Sequence, residues 1–321
     1  MNKVTVIIPN YNGAGFLPDC LRSLKKQTYT DFCVIIVDNG SGDSSVSYVK
    51  KNHPEVRLIE LGDNTGFANA VNVGIRTADS EYVFLLNNDT VCDERAIEAL
   101  VRVMDKNRSL FSAQAKMLQL KAPDLVDDAG DYYCALGWAF APSKDKDSDR
   151  YRKRTYITSS CAGAAIYRKS MLEEVGLFDE AHFCYLEDVD LGYRARLYGY
   201  RNLMEPSAVV YHAGSGSSGS RHNAFKVELT AANNLYLIYK NMPFLQVLIN
   251  LPLIITGIII KHVFYVKKGL GKAHIKGLLS GFSKIFKGHG KRVPFRGKQA
   301  INSLKLQLEL WLNCLRRIGI V

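Results

Sequence analysis

Short, continuously apolar runs alternate with stripes at helical spacing through the first hundred residues. Val4-Thr5-Val6-Ile7-Ile8 is a β-branched run that ends at Pro9, and Asn10 to Gly15 reads as a loop. Phe16, Leu17, Leu21 and Leu24 then recur at the spacing that lines one face of a helix. Val34-Ile35-Ile36-Val37 predicts a second strand, stopped by Asp38-Asn39-Gly40-Ser41-Gly42. A helix through Ser44 to Lys51, a strand from Val56 to Leu61, a helix from Ala68 to Ile75 and a strand from Tyr82 to Leu86 continue the alternation. Strands that are apolar on both faces and separated by helices predict a parallel sheet covered on both sides. Right-handed crossovers then put the loops after those strands on one edge, where open α/β sheets bind ligands.

The regularity lapses between residues 111 and 160, which carry Pro123, Pro142 and a charged stretch from Lys144 to Arg154. This predicts irregular structure with a mobile loop near Ser143–Ser148. Pattern returns at Cys161 to Tyr167, then as a helix over Glu187 to Leu197 and a short strand from Ala208 to Tyr211 that ends at His212. Gly214 to Gly219 is a glycine/serine loop. From Leu235 the character changes. Phe244 to Ile260 is apolar but interrupted by Gln246, Asn250, Pro252, Thr256 and Gly257. A spanning helix takes about 20 mostly apolar residues. This shorter run, followed by a Lys-rich segment with interspersed Phe, Leu and Ile, fits an in-plane hairpin on a membrane surface. Packing on the main domain or on a second subunit, as in a homo-oligomer, is the alternative. The chain thus divides into a domain over 1–235 and a helical, basic extension over 236–321.

Charge sharpens that division. The 321-residue chain carries a net +11, yet 14 of its 42 Lys/Arg and only one of its 31 acids (Glu309) lie in residues 261–321. The body is near neutral, which disfavours a nucleic-acid binder and favours a basic tail meeting an anionic membrane surface. The seven cysteines, Cys20, Cys33, Cys92, Cys134, Cys161, Cys184 and Cys314, include no C-x-x-C pair, so neither a zinc ribbon nor a disulfide framework is expected. Val4 to Ile8 is too short for a signal-peptide core, and the expectation is a cytosolic body.

Polar residues gather where predicted strands end. Asp38 follows VIIV, Asn87-Asn88-Asp89 follows YVFLL, and His212 follows AVVY. A carboxylate, amide oxygens and an imidazole suit a divalent cation, Mg2+ or Mn2+, that also holds a diphosphate. Each has a plainer alternative: a strand-terminal Asp often caps a helix, and Asp89 could do so for the helix beginning near Asp93. Glu187-Asp188-Val189-Asp190 offers a carboxylate base. It also fits a first helical turn favoured by the dipole, with Arg194 pairing Asp190 at i,i+4. Gly214 to Gly219 matches G-x-G-x-x-G only formally, because no βαβ start surrounds it. With Arg221 or His222 it could close over phosphates, or it could be a linker.

Taken together, VTVIIPNYNG, VIIVDNGSGD, NTGFANAVNVGI, YVFLLNNDT, CAGAAIYRKS, GLFDEAHFCYLEDVDLGYRARLYGY and VVYHAGSGSS follow the order and spacing of family 2 glycosyltransferases. They most resemble the rhamnosyltransferase-like branch that builds bacterial cell-surface polysaccharides. The resemblance covers about residues 3–240, and more loosely the tail. It implies a GT-A fold, a nucleotide-sugar donor, a divalent cation and inversion at the anomeric carbon. It also implies a glycan or polyprenyl-diphosphate-linked acceptor met at the cytoplasmic face of the membrane.

Residue by residue, the resemblance implies that Pro9, Tyr11 and Asp38 hold the nucleoside, with Asn64, Gly66 and Asn69 nearby. Asn87-Asn88-Asp89 stands where the family carries D-x-D. Asp89 and His212 would meet the metal with Asn87, and Asn88 would face the donor. Gly163 and Ala164 would line the donor sugar, Asp188 would be the catalytic base, and Trp138 and Tyr185 would border the acceptor. Segments around Lys144 and Gly214 are candidate lids. Asn87 in place of the first Asp leaves one charge fewer for the metal. A non-catalytic nucleotide-sugar-binding or scaffold subunit is the competing reading. A nucleotidyltransferase lacks its phosphate loop here, and a processive synthase its Q-x-x-R-W motif.

Overall fold

The computed structural model describes residues 2–214, 222–286 and 292–319. β1 (Val4–Asn10), α1 (Leu17–Lys25), β2 (Phe32–Asp38), α2 (Ser45–Asn52), β3 (Arg57–Glu60), α3 (Phe67–Thr77) and β4 (Tyr82–Leu86) realise the opening alternation. β1 lies between β2 and β4, and β3 joins β2, all parallel. Their side chains feed two cores. Val4, Val6 and Ile8 pack with Leu17, Leu21 and Leu24 of α1, whereas Ile7 packs on the other face with Val71 and Ile75 of α3.

The chain continues through β5 (Thr90–Cys92), α4 (Ala96–Lys106), β6 (Leu110–Gln119), β7 (Ala122–Asp128), β8 (Tyr132–Cys134), β9 (Trp138–Phe140) and β10 (Thr155–Ile157). β11 (Ala164–Arg168), α5 (Lys169–Val175), α6 (Glu187–Leu197) and β12 (Arg201–His212) follow. Among the described residues ten strands form one sheet, along the path β10-β12-β6-β11-β4-β1-β2-β3, with β5 on β12 and β7 on β6. β8 and β9 form a separate hairpin.

Residues 111–160 are therefore not irregular. β6 is a central strand whose interior polar residues are paired at long range. Ser112 shares hydrogen bonds with Ser160 (2.8 Å) and Asn202 (2.7 Å), and Gln114 donates to Asp128 at 2.6 Å. The expected loop at Ser143–Ser148 is also tied down. Asp145 N donates to Val126 O (2.9 Å), Val126 N to Lys146 O (2.8 Å), and the buried Ser143 Oγ accepts from Ala129 N at 3.0 Å.

The C-terminal part is helical: α7 (Ala224–Asn241), α8 (Phe244–Lys267), α9 (Gly271–Phe286) and α10 (Lys298–Arg317). α8 runs 24 residues through Pro252, beyond the 17 of the apolar run, and is long and apolar enough to cross a membrane. Three of the residues that interrupt the run, Gln246, Asn250 and Gly257, lie on its inner stripe, whereas Pro252 and Thr256 are exposed. Gln246, Asn250, Ile254 and Gly257 are buried. Gln246 accepts from Tyr193 Oη (3.0 Å), and Asn250 exchanges hydrogen bonds with Gln307 of α10 at 2.7 and 2.9 Å. Phe244, Leu245, Leu248, Ile249 and Ile259 face outward and are exposed. The Gly214–Gly219 loop, beyond Gly214, and Arg221 lie outside the described residues. His222 sits beside Phe264 and Tyr265 of α8.

Candidate active site

At the ends of β1, β2 and β4 a string of hydrogen bonds fixes the loop geometry. Asp38 Oδ1 accepts from Asn10 Nδ2 (2.8 Å) and Ser41 Oγ (2.6 Å), and its Oδ2 from Ser41 N (2.9 Å). Asn10 Oδ1 in turn accepts from Asn88 Nδ2 at 2.8 Å, so the Asn88 side chain is committed to the framework. Pro9 is half-buried and Tyr11 exposed at this edge. Asn39, which the motif reading passed over, holds the next loop. It donates to Asn64 Oδ1 (3.0 Å) and accepts from Thr65 N (2.9 Å). Gly66, at φ 90°, begins α3 so close to Phe183 that a Cβ there would lie 2.6 Å from the ring. Asn69 is half-buried in the first turn of α3.

The β4 end meets the β12 end directly. Antiparallel pairing of β5 with β12 sets Thr90 opposite His212. Asp89, buried, places Oδ1 3.2 Å from His212 Nε2. The other ring nitrogen, Nδ1, lies 2.7 Å from Asp127 Oδ2, and Asp127 also pairs with Lys144. Burial alone would lower the His212 pKa, but hydrogen bonds to Asp127 and Asp89 raise it to about 9. Burial works to raise Asp127, and His212 with Lys144 holds it below the usual carboxylate value. Asn87 N donates to Gly163 O at 2.9 Å, and its side-chain amide lies against Gly163, where a Cβ would come within 3.0 Å. Asn87 is therefore placed beside the 161–163 turn rather than joined to the Asp89–His212 pair by any hydrogen bond.

Asp188 stands on the far side of that same turn. Its Oδ1 accepts from Val189 N (2.8 Å), its Oδ2 from Ala162 N (3.4 Å), and its carbonyl from Ser159 Oγ (2.6 Å). Desolvation raises its pKa to about 6 against the pull of these backbone N–H groups. Glu187 and Asp131, acids nearby, are pushed well above their usual values by burial first and by neighbouring carboxylates second. The turn before α6 is strained. Phe183 (φ 62°, ψ −67°) closes a three-residue turn from Cys184 N to His182 O at 2.7 Å, and Tyr185 and Leu186 also have positive φ. Asn233 of α7 buttresses it by donating to the carbonyls of His182 (2.9 Å), Cys184 (2.9 Å) and Tyr185 (2.8 Å). Tyr185 is half-buried against Phe225.

Three residues sit elsewhere. Ala164 is fully buried in the core on the α1/α4 face of the sheet, because β11 turns that position inward. It therefore lines no cleft. Trp138 spends its indole N–H on Gly257 O of α8 (3.1 Å), with Lys261 and Arg317 over its ring, so that indole is bound to the helices rather than free for an acceptor. Asp190 fulfils the ion-pair reading of its helix: it accepts from Arg194 Nε (2.9 Å), Lys240 Nζ (3.0 Å) and Asn241 Nδ2 (2.7 Å). Asp179, His182 and Asp190 come close enough to suggest a second cation site. Lys240 already bridges both carboxylates, and burial drops the His182 pKa to about 4. That group is a structural ion-pair network. A groove of about 750 Å3 beside α1, lined by Arg22, Lys26, Asp93 and Tyr211, includes none of Asp89, Asp188 and His212.

A parallel half-sheet extended by antiparallel and crossover strands thus carries acids and an imidazole at its strand ends. The chain overlays GalNAc-T7 with UDP, GalNAc and Mn2+ at a TM-score of 0.61 and 16% identity, covering 91% of this chain and 55% of that one. For the mannosyltransferase PcManGT from Pyrobaculum calidifontis in complex with GDP-Man and Mn2+ the values are 0.54 and 17%, covering 99% and 84%. The fold is the GT-A fold. The glycosyl transferase family 2 profile matches residues 5–176, more than half of the chain, and the chain belongs to that family. It is 27% identical over 239 residues to the N-acetylglucosaminyl-diphospho-decaprenol L-rhamnosyltransferase of Mycobacterium tuberculosis, covering 67% of this chain and 77% of that one. Over 114 residues it is 36% identical to the poly(ribitol-phosphate) beta-N-acetylglucosaminyltransferase TarP of Staphylococcus aureus, 34% of this chain and 35% of that one.

Proposed function

We propose that this chain is an inverting glycosyltransferase of the rhamnosyltransferase-like branch, moving a sugar from dTDP-rhamnose or a UDP-sugar to a lipid-linked or growing cell-surface glycan. The observation that carries the reading is the meeting of Asp89 and His212 Nε2 at 3.2 Å, on the loop whose Asn87 shares the 161–163 turn with Asp188. The donor set fits a divalent cation: one buried carboxylate and one partly exposed imidazole nitrogen leave the remaining positions to a diphosphate. In that place Mg2+ or Mn2+ would neutralise the charge that grows on the leaving diphosphate.

The chain's own residues supply the rest. Tyr11 and Pro9 sit at the edge where a nucleoside would lie, and Asp38, held by Asn10 and Ser41, shapes that edge. Gly163, whose missing Cβ lets the Asn87 amide pack against it, would line the donor sugar with its backbone. Asp188 takes the proton of the acceptor hydroxyl as that oxygen attacks the anomeric carbon from the face opposite the diphosphate. A carboxylate desolvated to about pKa 6 is a stronger base than a solvated one and still ionised at neutral pH.

The acceptor side points to a membrane. We read 1–235 as the catalytic domain and 236–321 as an extension that docks at the cytoplasmic leaflet. Outward apolar residues Leu248 and Ile259 of α8, Leu279 and Phe282 of α9 and Leu304 and Leu308 of α10 are all exposed. Exposed apolar positions on three helices of a segment rich in Lys and Arg suit an anionic bilayer surface.

A nucleotide-sugar screen by thermal shift, with and without Mn2+, tests the reading. One donor in the dTDP or UDP series should raise the melting temperature in the presence of Mn2+, by about 2.7 kcal/mol of stabilisation at a hundredfold excess over Kd. If no nucleotide sugar shifts the transition under either condition, the transferase reading fails and a scaffold role takes its place.

A further inference from the structure

We infer that Asp127 is a positioning residue that sets the His212 ring for metal binding, and that Lys144 holds Asp127 for that task. The inference rests on the proposed metal role of Asp89 and His212. A neutral imidazole offers a lone pair on one nitrogen only, and the partner of the other nitrogen decides which one. Here Nδ1 lies 2.7 Å from Asp127 Oδ2 while Nε2 faces Asp89. With Nδ1–H donated to Asp127, the proton that Nε2 shares with the Asp89 carboxylate in the metal-free ring is the one a cation would displace, so Nε2 is the nitrogen that would meet it. The hydrogen bond to Asp127 also stops the ring from turning about its Cβ–Cγ bond.

Asp127 is built for this position. β6 and β7 pair Met117 with Asp128 and Leu118 with Val126, so Asp127 is the extra residue of a bulge and has no partner on β6. The bulge frees its side chain to reach over the strand toward β12. Its second oxygen is taken by the Lys144 ammonium. Lys144 is held in turn by the backbone bonds of Asp145 and Lys146 to Val126 and by the buried Ser143. The carboxylate is enclosed, with its side chain 10% exposed, and both its oxygens are engaged. A carboxylate behind a metal-facing histidine raises the ligand's basicity, and its loss typically weakens metal affinity 10–100-fold.

The test is Mn2+ binding to the full chain without donor, followed by the EPR signal of free Mn2+, for wild type, Asp127→Ala, Asp127→Asn, Asp89→Asn and His212→Ala. Asp127→Ala should weaken Mn2+ by about 10–100-fold. Asp127→Asn keeps an oxygen for Nδ1–H and should fall between the two, with the metal-free melting curve close to wild type. 15N-histidine spectra in Mg2+ give a readout that a purely architectural role would leave alone: His212 should carry its proton on Nδ1 in wild type and lose that preference in Asp127→Ala. If Asp127→Ala does not fold, Asp127→Asn with the tautomer measurement decides alone. Mn2+ affinity that depends on Asp89 and His212 but is unchanged in both Asp127 variants overturns this inference and spares the metal reading. Wild type that binds no Mn2+, or binds it equally without Asp89, overturns both.

Discussion

The carboxylate of Asp188 accepts the Ala162 N–H at 3.4 Å, which fastens the first turn of α6 to the turn that leads into β11. On the other side of that turn Gly163 O receives the Asn87 N–H, so the acid of one motif and the loop of another share one anchor. The placement matters because burial is the first cause of the raised Asp188 pKa, and the nearby Asp128 charge adds to it.

A pH dependence follows. Asp188 accepts a proton only when ionised, and its pKa is raised to about 6. Transfer should therefore rise with pH through an acid limb near that value, with unit slope in log kcat/KM below it. A profile that is flat from about pH 5 upward would show that another group takes the proton.

Asn233 should matter to turnover more than to donor binding. Its amide satisfies three carbonyls of the strained 182–185 turn. Asn233→Ala should cost about 1–3 kcal/mol of stability and lower kcat by about tenfold or more through a misplaced α6 terminus. Donor affinity should hold. Equal kcat in a folded Asn233→Ala protein would remove the turn from the account.

Metal removal should act through Asp89. Chelation of wild type and Asp89→Asn in the presence of Mn2+ should each reduce transfer by about 10²–10³-fold. Full activity in chelator would mean that Lys or amide groups alone carry the diphosphate charge.

The outward face of α8 and α9 should govern vesicle binding. Leu248→Glu with Phe282→Glu changes two exposed positions and should leave the melting temperature alone while abolishing flotation with anionic vesicles. Wild-type binding should weaken with salt, since each nearby Lys or Arg contributes about 1 kcal/mol. Equal binding to neutral and anionic vesicles, or to vesicles by the double variant, contradicts the docking surface.

What the chain reveals by pattern is what local periodicity encodes. β1, β2 and β4 are legible because both their faces are apolar, and the strand ends at Asp38 and Asn87–Asp89 follow from them, as His212 does from the apolar end of β12. β6 is not legible, because Ser112 and Gln114 are satisfied by Asn202, Ser160 and Asp128, residues far along the chain. Asp127 is hidden for a related reason: only the register of β6 with β7 shows it as a bulged residue free to reach His212. In α8 the polar positions looked like interruptions of an apolar run. Gln246 and Asn250 are the inner stripe that joins α8 to α6 and α10, and the apolar residues are the outer face. Resemblance alone sets Trp138 at the acceptor, whereas its N–H is taken by Gly257 O of α8, a contact between segments far apart in the chain.

The most direct measurement is sugar transfer by Asp188→Asn set beside its donor binding, using the nucleotide sugar that stabilises wild type. The account expects transfer to fall by about 10²–10⁴-fold while the donor-induced thermal shift stays at the wild-type value. Transfer within about tenfold of wild type, a loss too small for a general base, would contradict it.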